Sequence, residues 1–170
     1  MIDPTAYIAP GAVVLGAVSL GRRSSVWYNS VLRGDIAPIV VGDESNIQDL
    51  TVIHVDEGQP CSVGDRVGVG HRAVLHGCTI EDECLIGMGA VLLNGVCVRT
   101  GSVVGAGAVL TEGMEVAPGS LVLGVPGRVV RKVDELLRER MRTNWSHYVE
   151  LAAQHRAGVY PVHGPTLADM

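Results

Sequence analysis

The chain has 170 residues (17.9 kDa), enough for one domain with an appendage. Hydrophobic residues make up 47% and charged residues 18%, which excludes intrinsic disorder, and a net charge of -5 argues against a sequence-independent nucleic-acid binder. Aromatics are only 4% with no Phe, whereas Val, Leu and Ile fill 51 positions beside 22 Gly, so the core is built from branched aliphatics rather than rings.

The opening residues MIDPTAYIAPG lack a basic segment followed by an apolar run, so no export signal is expected and the location is read as cytoplasmic. No apolar stretch is long enough to cross a membrane. Cys61, Cys78, Cys84 and Cys97 show no Cys-x-x-Cys pair and are expected to be reduced, small core or corner residues.

From Ile8 onward an aliphatic recurs every six residues: Ile8, Val14, Leu20, Val26 and Leu32. Further runs are Val41, Ile47 and Ile53, then Val63, Val69 and Leu75. The last run is Ile80, Ile86, Leu92, Val98, Val104, Leu110, Val116 and Val122. Four positions after most of them comes a small residue, such as Ser24, Ser30, Ser45, Thr51, Ala73 or Ala108. Period six fits neither a helix nor a two-faced strand. It fits three short strands per 18-residue triangular coil, with corners that want Gly, Asn and Asp, stacked into a solenoid. The register breaks three times: three extra residues after Leu32, four extra after Ile53 and one missing after Leu75. Insertions in a solenoid are expected to leave as loops and to carry function.

After Val122 the pattern ends. GVPGRVVRKV is a turn-rich exit, and Asp134 is the expected N-cap of a helix with Val133, Leu137, Met141, Trp145, Tyr148 and Ala152 at helical spacing. Gly158 is the expected stop, with Trp145 and Tyr148 packing the helix onto the solenoid. The organisation is therefore an all-β solenoid over 1–127, a C-terminal helical segment over 128–158 and a tail over 159–170.

Three of the six histidines, His54, His71 and His76, cluster within the broken region. His54 follows Ile53 and His76 follows Leu75; removing the four-residue insertion leaves 18 residues between them, one full coil. They should stack on one face, with strands about 4.8 Å apart. Arg33 follows Leu32 and belongs to the same stack one coil earlier. His71 lies two residues after Val69, on the adjacent face or its corner, with Gln48 and Asp49 one coil before it. Adjacent faces of a triangular prism diverge, so one metal ion bound by all three histidines needs His71 from a neighbouring subunit, as in a cyclic trimer. Three neutral imidazoles leave a tetrahedral ion one open position, where a bound water ionises near neutrality and becomes a nucleophile.

The segments RGD at 33–35, NIQD at 46–49, IH at 53–54 and GHRAVLH at 70–76, with the hexapeptide scaffold and the exit GVPGRVV, resemble the γ-class carbonic anhydrase family across roughly residues 5–155. The resemblance implies a left-handed parallel β-helix with a C-terminal α-helix and a homotrimer with metal at its subunit interfaces. It implies a metal held by His54, His71 and His76, usually zinc, with iron or cobalt as alternatives. Arg33 and Asp35 match a pair that orients the site and joins subunits, with Asp49 as partner, and Gln48 matches the residue that positions hydroxide or bicarbonate. The implied reaction is hydration of carbon dioxide to bicarbonate. The segment after the first ligand is only VDEGQPCSV, which resembles the short-loop subgroup that includes phenylacetate- and carnitine-metabolism homologues. That keeps two alternatives open: a metal-dependent CoA-thioester hydrolase or acyltransferase, and a non-catalytic metal-bearing trimer. Asn94, Glu57 and Tyr148 are further candidates for lining the pocket.

Overall fold

The computed structural model describes residues 1–163, so the tail expected over 159–170 lies outside it from 164 onward. The repeats wind a left-handed parallel β-helix of about six turns. Its first face stacks Tyr7–Ile8, Ser25–Val26, Asn46–Ile47, Gly68–Val69, Leu85–Ile86, Val103–Val104 and Ser120–Leu123. The second face carries, in order from the N-terminal end, Val14, Leu32, Ile53, Leu75, Leu92 and Leu110, each paired with the next. On the third face, Val41, Val63, Ile80, Val98 and Val116 stack in the same way.

The period-six aliphatics point inward because a strand alternates its side chains and each coil turns the same face to the axis. All but two of them are essentially buried. Ile8 and Val14 are the exceptions, Ile8 being 39% exposed, since the first coil has no coil beneath it. Shortening one inner side chain leaves a hole that the stacked coils cannot close. Leu75→Ala should therefore lower unfolding free energy by about 2–5 kcal/mol, read by denaturant titration, with an unchanged denaturant slope.

The small residues four positions on occupy the inside of the corners. Ser30 donates to the carbonyl of Gln48 (2.8 Å), and Ser45 Oγ donates to the Gly64 carbonyl (2.7 Å) while accepting from the Val67 N–H (2.9 Å), so each ties one coil to the next. The outer corner residue adopts the left-handed conformation throughout. Glycine fills it at 89, 95, 101, 107, 113 and 119, whereas the earlier coils place Arg23, Asn29, Glu44, Leu50, Arg66, Arg72 and Glu83 there. The glycines and Asn29 meet the expectation for such corners, and the other six residues do not. The cost of about 1–2 kcal/mol per non-glycine residue is reduced at some corners by side-chain contacts that glycine would lack: Arg66 Nε reaches Glu83 Oε1 (3.2 Å) and Arg23 pairs with Glu44. The corner backbone bond to the coil before it is made alike by glycine and non-glycine residues, as by Arg72 to the Asp49 carbonyl and by Gly89 to the His71 carbonyl (both 2.9 Å).

Two expectations are corrected. The three residues inserted after Leu32 do not leave as a loop: Val31–Val41 is one continuous strand beside Val13–Leu20, and residues 35–38 form a bulge opposite Ala17. Residues 128–132, assigned to the helical segment, form a strand pairing antiparallel with Ser120–Leu123. The last coil would otherwise present an unpaired edge, and the returning strand covers it.

The helix spans Glu135–Arg156 with Asp134 as its N-cap, accepting from the Leu137 N–H (2.9 Å), and it ends before Gly158 in the left-handed conformation. It lies along the first face. Trp27 meets Tyr148 (ring centroids 5.3 Å) and His155 (5.0 Å), and Met141 packs with Val103, Leu121 and Val133. No helix among the described residues is long and apolar enough to cross a membrane.

Candidate metal centre

The coil count places the first two histidines in direct register. Arg33 pairs with His54 and His54 with His76, on adjacent strands of the second face. The two imidazoles lie 5.1 Å apart, with His54 Nδ1 3.1 Å from His76 Nε2. The ligand nitrogens of a tetrahedral zinc ion with bonds of about 2.0–2.1 Å are separated by roughly 3.3 Å. The two facing nitrogens therefore fit two corners of such a site.

The outer edges of the rings are also held. His54 Nε2 lies 3.3 Å from Asp35 Oδ1, and the other oxygen of Asp35 accepts from Arg33 (2.6 Å). The guanidinium holds the Asp35 carboxyl below its usual range, so it remains an acceptor. The bulge after Leu32 is what turns Asp35 toward His54. On the far side, His76 Nδ1 lies 2.8 Å from Asn94 Oδ1.

His71 stands at the corner between the first and second faces. Its Nδ1 meets Asp49 Oδ2 (2.8 Å), one coil away, as the spacing predicts. Its Nε2 lies 3.5 Å from the Tyr148 hydroxyl, which the helix delivers. Burial, with the nearby Asp49 charge, pushes the Tyr148 phenol up to about 12, so it is neutral at ordinary pH and serves as a hydrogen-bonding group rather than a base. Among the described residues of one chain, no three His, Cys, Asp or Glu side chains converge on a common point.

Gln48 is only 4% exposed, and its Nε2 donates to Asn46 Oδ1 (3.0 Å). Asn46 Nδ2 in turn faces Asn144 Oδ1 of the helix at 3.5 Å. A side chain on Gly68 would collide with Asn144, so the glycine is what lets the helix amide sit against the first face. Asn46 and Asn144 were missed by sequence reasoning. Asn46 could have been found, since a polar residue in the outward slot before Ile47 needs a partner once covered. Nothing in the sequence ties Asn144 to it.

The other candidates differ in placement. Asn94 is an outer partner of His76. Glu57 is exposed in the loop after His54 and makes no hydrogen bond or ion pair with the histidines among the described residues. Arg33 and Asp49 have partners within their own chain, Asp35 and His71 respectively. The four cysteines are free, as expected, and Cys61, Cys78 and Cys84 are buried.

The family model for bacterial transferase hexapeptides (six repeats) matches residues 77–112. A Methanocaldococcus jannaschii protein named "Probable carbonic anhydrase" is 54% identical over 152 residues, covering 89% of this chain and 96% of its own. The mitochondrial gamma carbonic anhydrase 1 of Arabidopsis thaliana is 42% identical over 163 residues; the match covers 92% of this chain and 59% of that longer protein. Among solved structures, a hexapeptide transferase family protein from Anaplasma phagocytophilum superposes with a TM-score of 0.87 at 35% identity, covering 91% of each chain.

Proposed function

The chain belongs to the gamma carbonic anhydrase family, and on that premise we propose that it hydrates carbon dioxide to bicarbonate at a divalent metal held between the subunits of a homotrimer. The observation that carries this reading is the register pair of His54 and His76, 3.1 Å apart at their facing nitrogens, with His71 held by its own aspartate on a diverging corner. His54 and His76 of one subunit and His71 of the next would hold the ion, zinc by preference, with Fe2+ or Co2+ compatible with the same nitrogen set. When bound, such an ion supplies the Lewis acidity that makes a water nucleophilic near neutral pH.

The chain's own groups have separable tasks. Asp49 keeps the proton of His71 on Nδ1 and leaves Nε2 free as a ligand. Asp35, fixed by Arg33, does the same for His54 from its Nε2 side. Gln48 gives one N–H to Asn46, which leaves a second N–H to donate to an oxygen of carbon dioxide or bicarbonate and Oε1 to accept from the bicarbonate O–H. Tyr148, neutral across the working range, borders the same corner.

The outer side of the second face supports a trimer. It carries a stripe of valines, 13, 31, 52, 74, 91 and 109, with Val13 44% and Val52 39% exposed in the single chain, an apolar surface suited to burial against a neighbour. A cytoplasmic setting suits the free thiols.

Metal analysis of protein purified without chelator, paired with stopped-flow hydration, tests the proposal. The expected result is about one ion per chain and hydration well above that of free metal at equal concentration. Full occupancy with no acceleration over free metal overturns the hydratase. The transferase name of the Anaplasma relative favours one second reading, chemistry on an acyl-CoA. A panel of acyl-CoAs monitored for free thiol on the same preparation separates the two, and inactivity in both assays leaves a metal-bearing scaffold.

A further inference from the structure

Asn94 and Asp56 lie beside the centre. Asp56 is in the loop created by the four-residue insertion after Ile53, a loop folded by the Gln59 N–H donating to the Asp56 carbonyl (3.0 Å). Asn94 lies one coil beyond His76. Its Nδ2 donates to Asp56 Oδ2 (2.8 Å), while its Oδ1 faces His76 Nδ1 (2.8 Å). Gly77 makes this possible, because a methyl there would collide with Asn94 Oδ1 and its backbone is left-handed (φ +53).

We propose that Asn94 and Asp56 form a positioning pair that sets the tautomer of His76 and so keeps its Nε2 available as a metal ligand. The argument is one of donors and acceptors. An ionised carboxylate only accepts, so Asp56 must receive the amide N–H of Asn94. The amide has one face of each kind, so donating to Asp56 turns its carbonyl to His76. That carbonyl can only accept, so the proton of the neutral imidazole resides on Nδ1 and the lone pair on Nε2. Nε2 is the nitrogen that faces His54. Asp35 imposes the mirror arrangement on His54, whose Nε2 donates outward and whose Nδ1 turns its lone pair inward. Two lone pairs then oppose each other across 3.1 Å, an arrangement that favours a cation between them.

An asparagine without Asp56 could turn its amide N–H toward His76 and draw the ring into the opposite tautomer, with the proton in the ligand position. The inserted loop therefore acts on the centre through its one carboxylate in contact with Asn94.

The consequence for metal rests on the three-histidine reading; the tautomer itself does not. Long-range 1H–15N NMR on the metal-free chain, at a pH where the rings are neutral, should show the wild-type His76 protonated at Nδ1 and Asp56→Asn shifting toward Nε2–H. Zinc affinity, measured by competition with a chromophoric chelator, should fall about 10–100-fold in Asp56→Asn and in Asn94→Leu. The exchanged pair Asp56→Asn/Asn94→Asp restores the same order of donors and acceptors, since residue 56 then donates and residue 94 accepts from both sides. It should recover most of the wild-type affinity. Recovery in the double variant separates positioning from simple damage to the loop. A wild-type ring protonated at Nε2, unchanged affinity in both single variants, or a double variant no better than Asp56→Asn overturns the proposal. A wild type that binds no zinc overturns the metal reading instead, and the tautomer measured without metal still decides the role of the pair.

Discussion

Metal binding should return when His71→Ala chains are unfolded and refolded together with His54→Ala/His76→Ala chains, although neither variant alone retains it. Each homotrimer of His71→Ala keeps two imidazoles per site, and each homotrimer of the double variant keeps one. Three nitrogen ligands are the least that leave a tetrahedral ion one open position, so both homotrimers should lose zinc and hydration together, by about 100-fold or more in each. In a mixed trimer the His54–His76 pair comes from one variant and His71 from the other. Random assembly of equal amounts should complete roughly one site in four overall, or about one in three within the mixed trimers. Native mass spectrometry establishes that mixed trimers are present, and metal analysis of that fraction reads the outcome. Verified mixed trimers with no regained metal would mean that one chain supplies all three ligands. The divergence of His71 from the second face makes that arrangement costly, because the solenoid would have to open its corner at His71–Arg72 to turn the ring toward His54 and His76.

Gln48→Ala should lower hydration by about 100- to 1000-fold, the range observed when one preorganised donor to a developing oxyanion is removed. The metal should stay, because Gln48 is spaced one coil from His71 and provides no imidazole or carboxylate to the ion. The amide is buried and oriented by Asn46, so water cannot readily replace it as a donor. Truncation also leaves Asn46 Oδ1 without its donor at a site where the side chain is buried, a cost of about 1–3 kcal/mol to stability. Three measurements on one preparation are needed: metal content, oligomer mass and rate. Loss of all three together would make Gln48 an interface residue. An intact, metal-replete and fully active variant would remove it from the mechanism.

The two variants probe parts of the centre that were legible to different degrees. A solenoid is a simple case for counting, because each coil contacts only its neighbours and the distance between contacting residues is a fixed 18 positions adjusted for insertions. The sequence by itself therefore determined the inward aliphatics, the buried small corners, the stacking of His54 on His76 and the placement of Asp49 beside His71. It also determined the helix ends, since Asp134 and Gly158 act through their own backbone neighbours.

Tertiary structure alone decided whatever crosses that fixed spacing. The bulge that turns Asp35 onto His54 depends on how a strand absorbs three extra residues, and the period gives only their number. The antiparallel strand over 128–132 answers an open edge that exists only once the last coil has formed. Arg, Glu and Leu hold left-handed corners where Gly, Asn or Asp was expected, because the backbone hydrogen bond from each corner to the neighbouring coil fixes that conformation whatever residue occupies it. The helix docks along the first face by packing rather than by register. Its delivery of Asn144 to Asn46 and of Tyr148 to His71 therefore joins residues 98 and 77 positions apart, with no periodic relation to announce either contact.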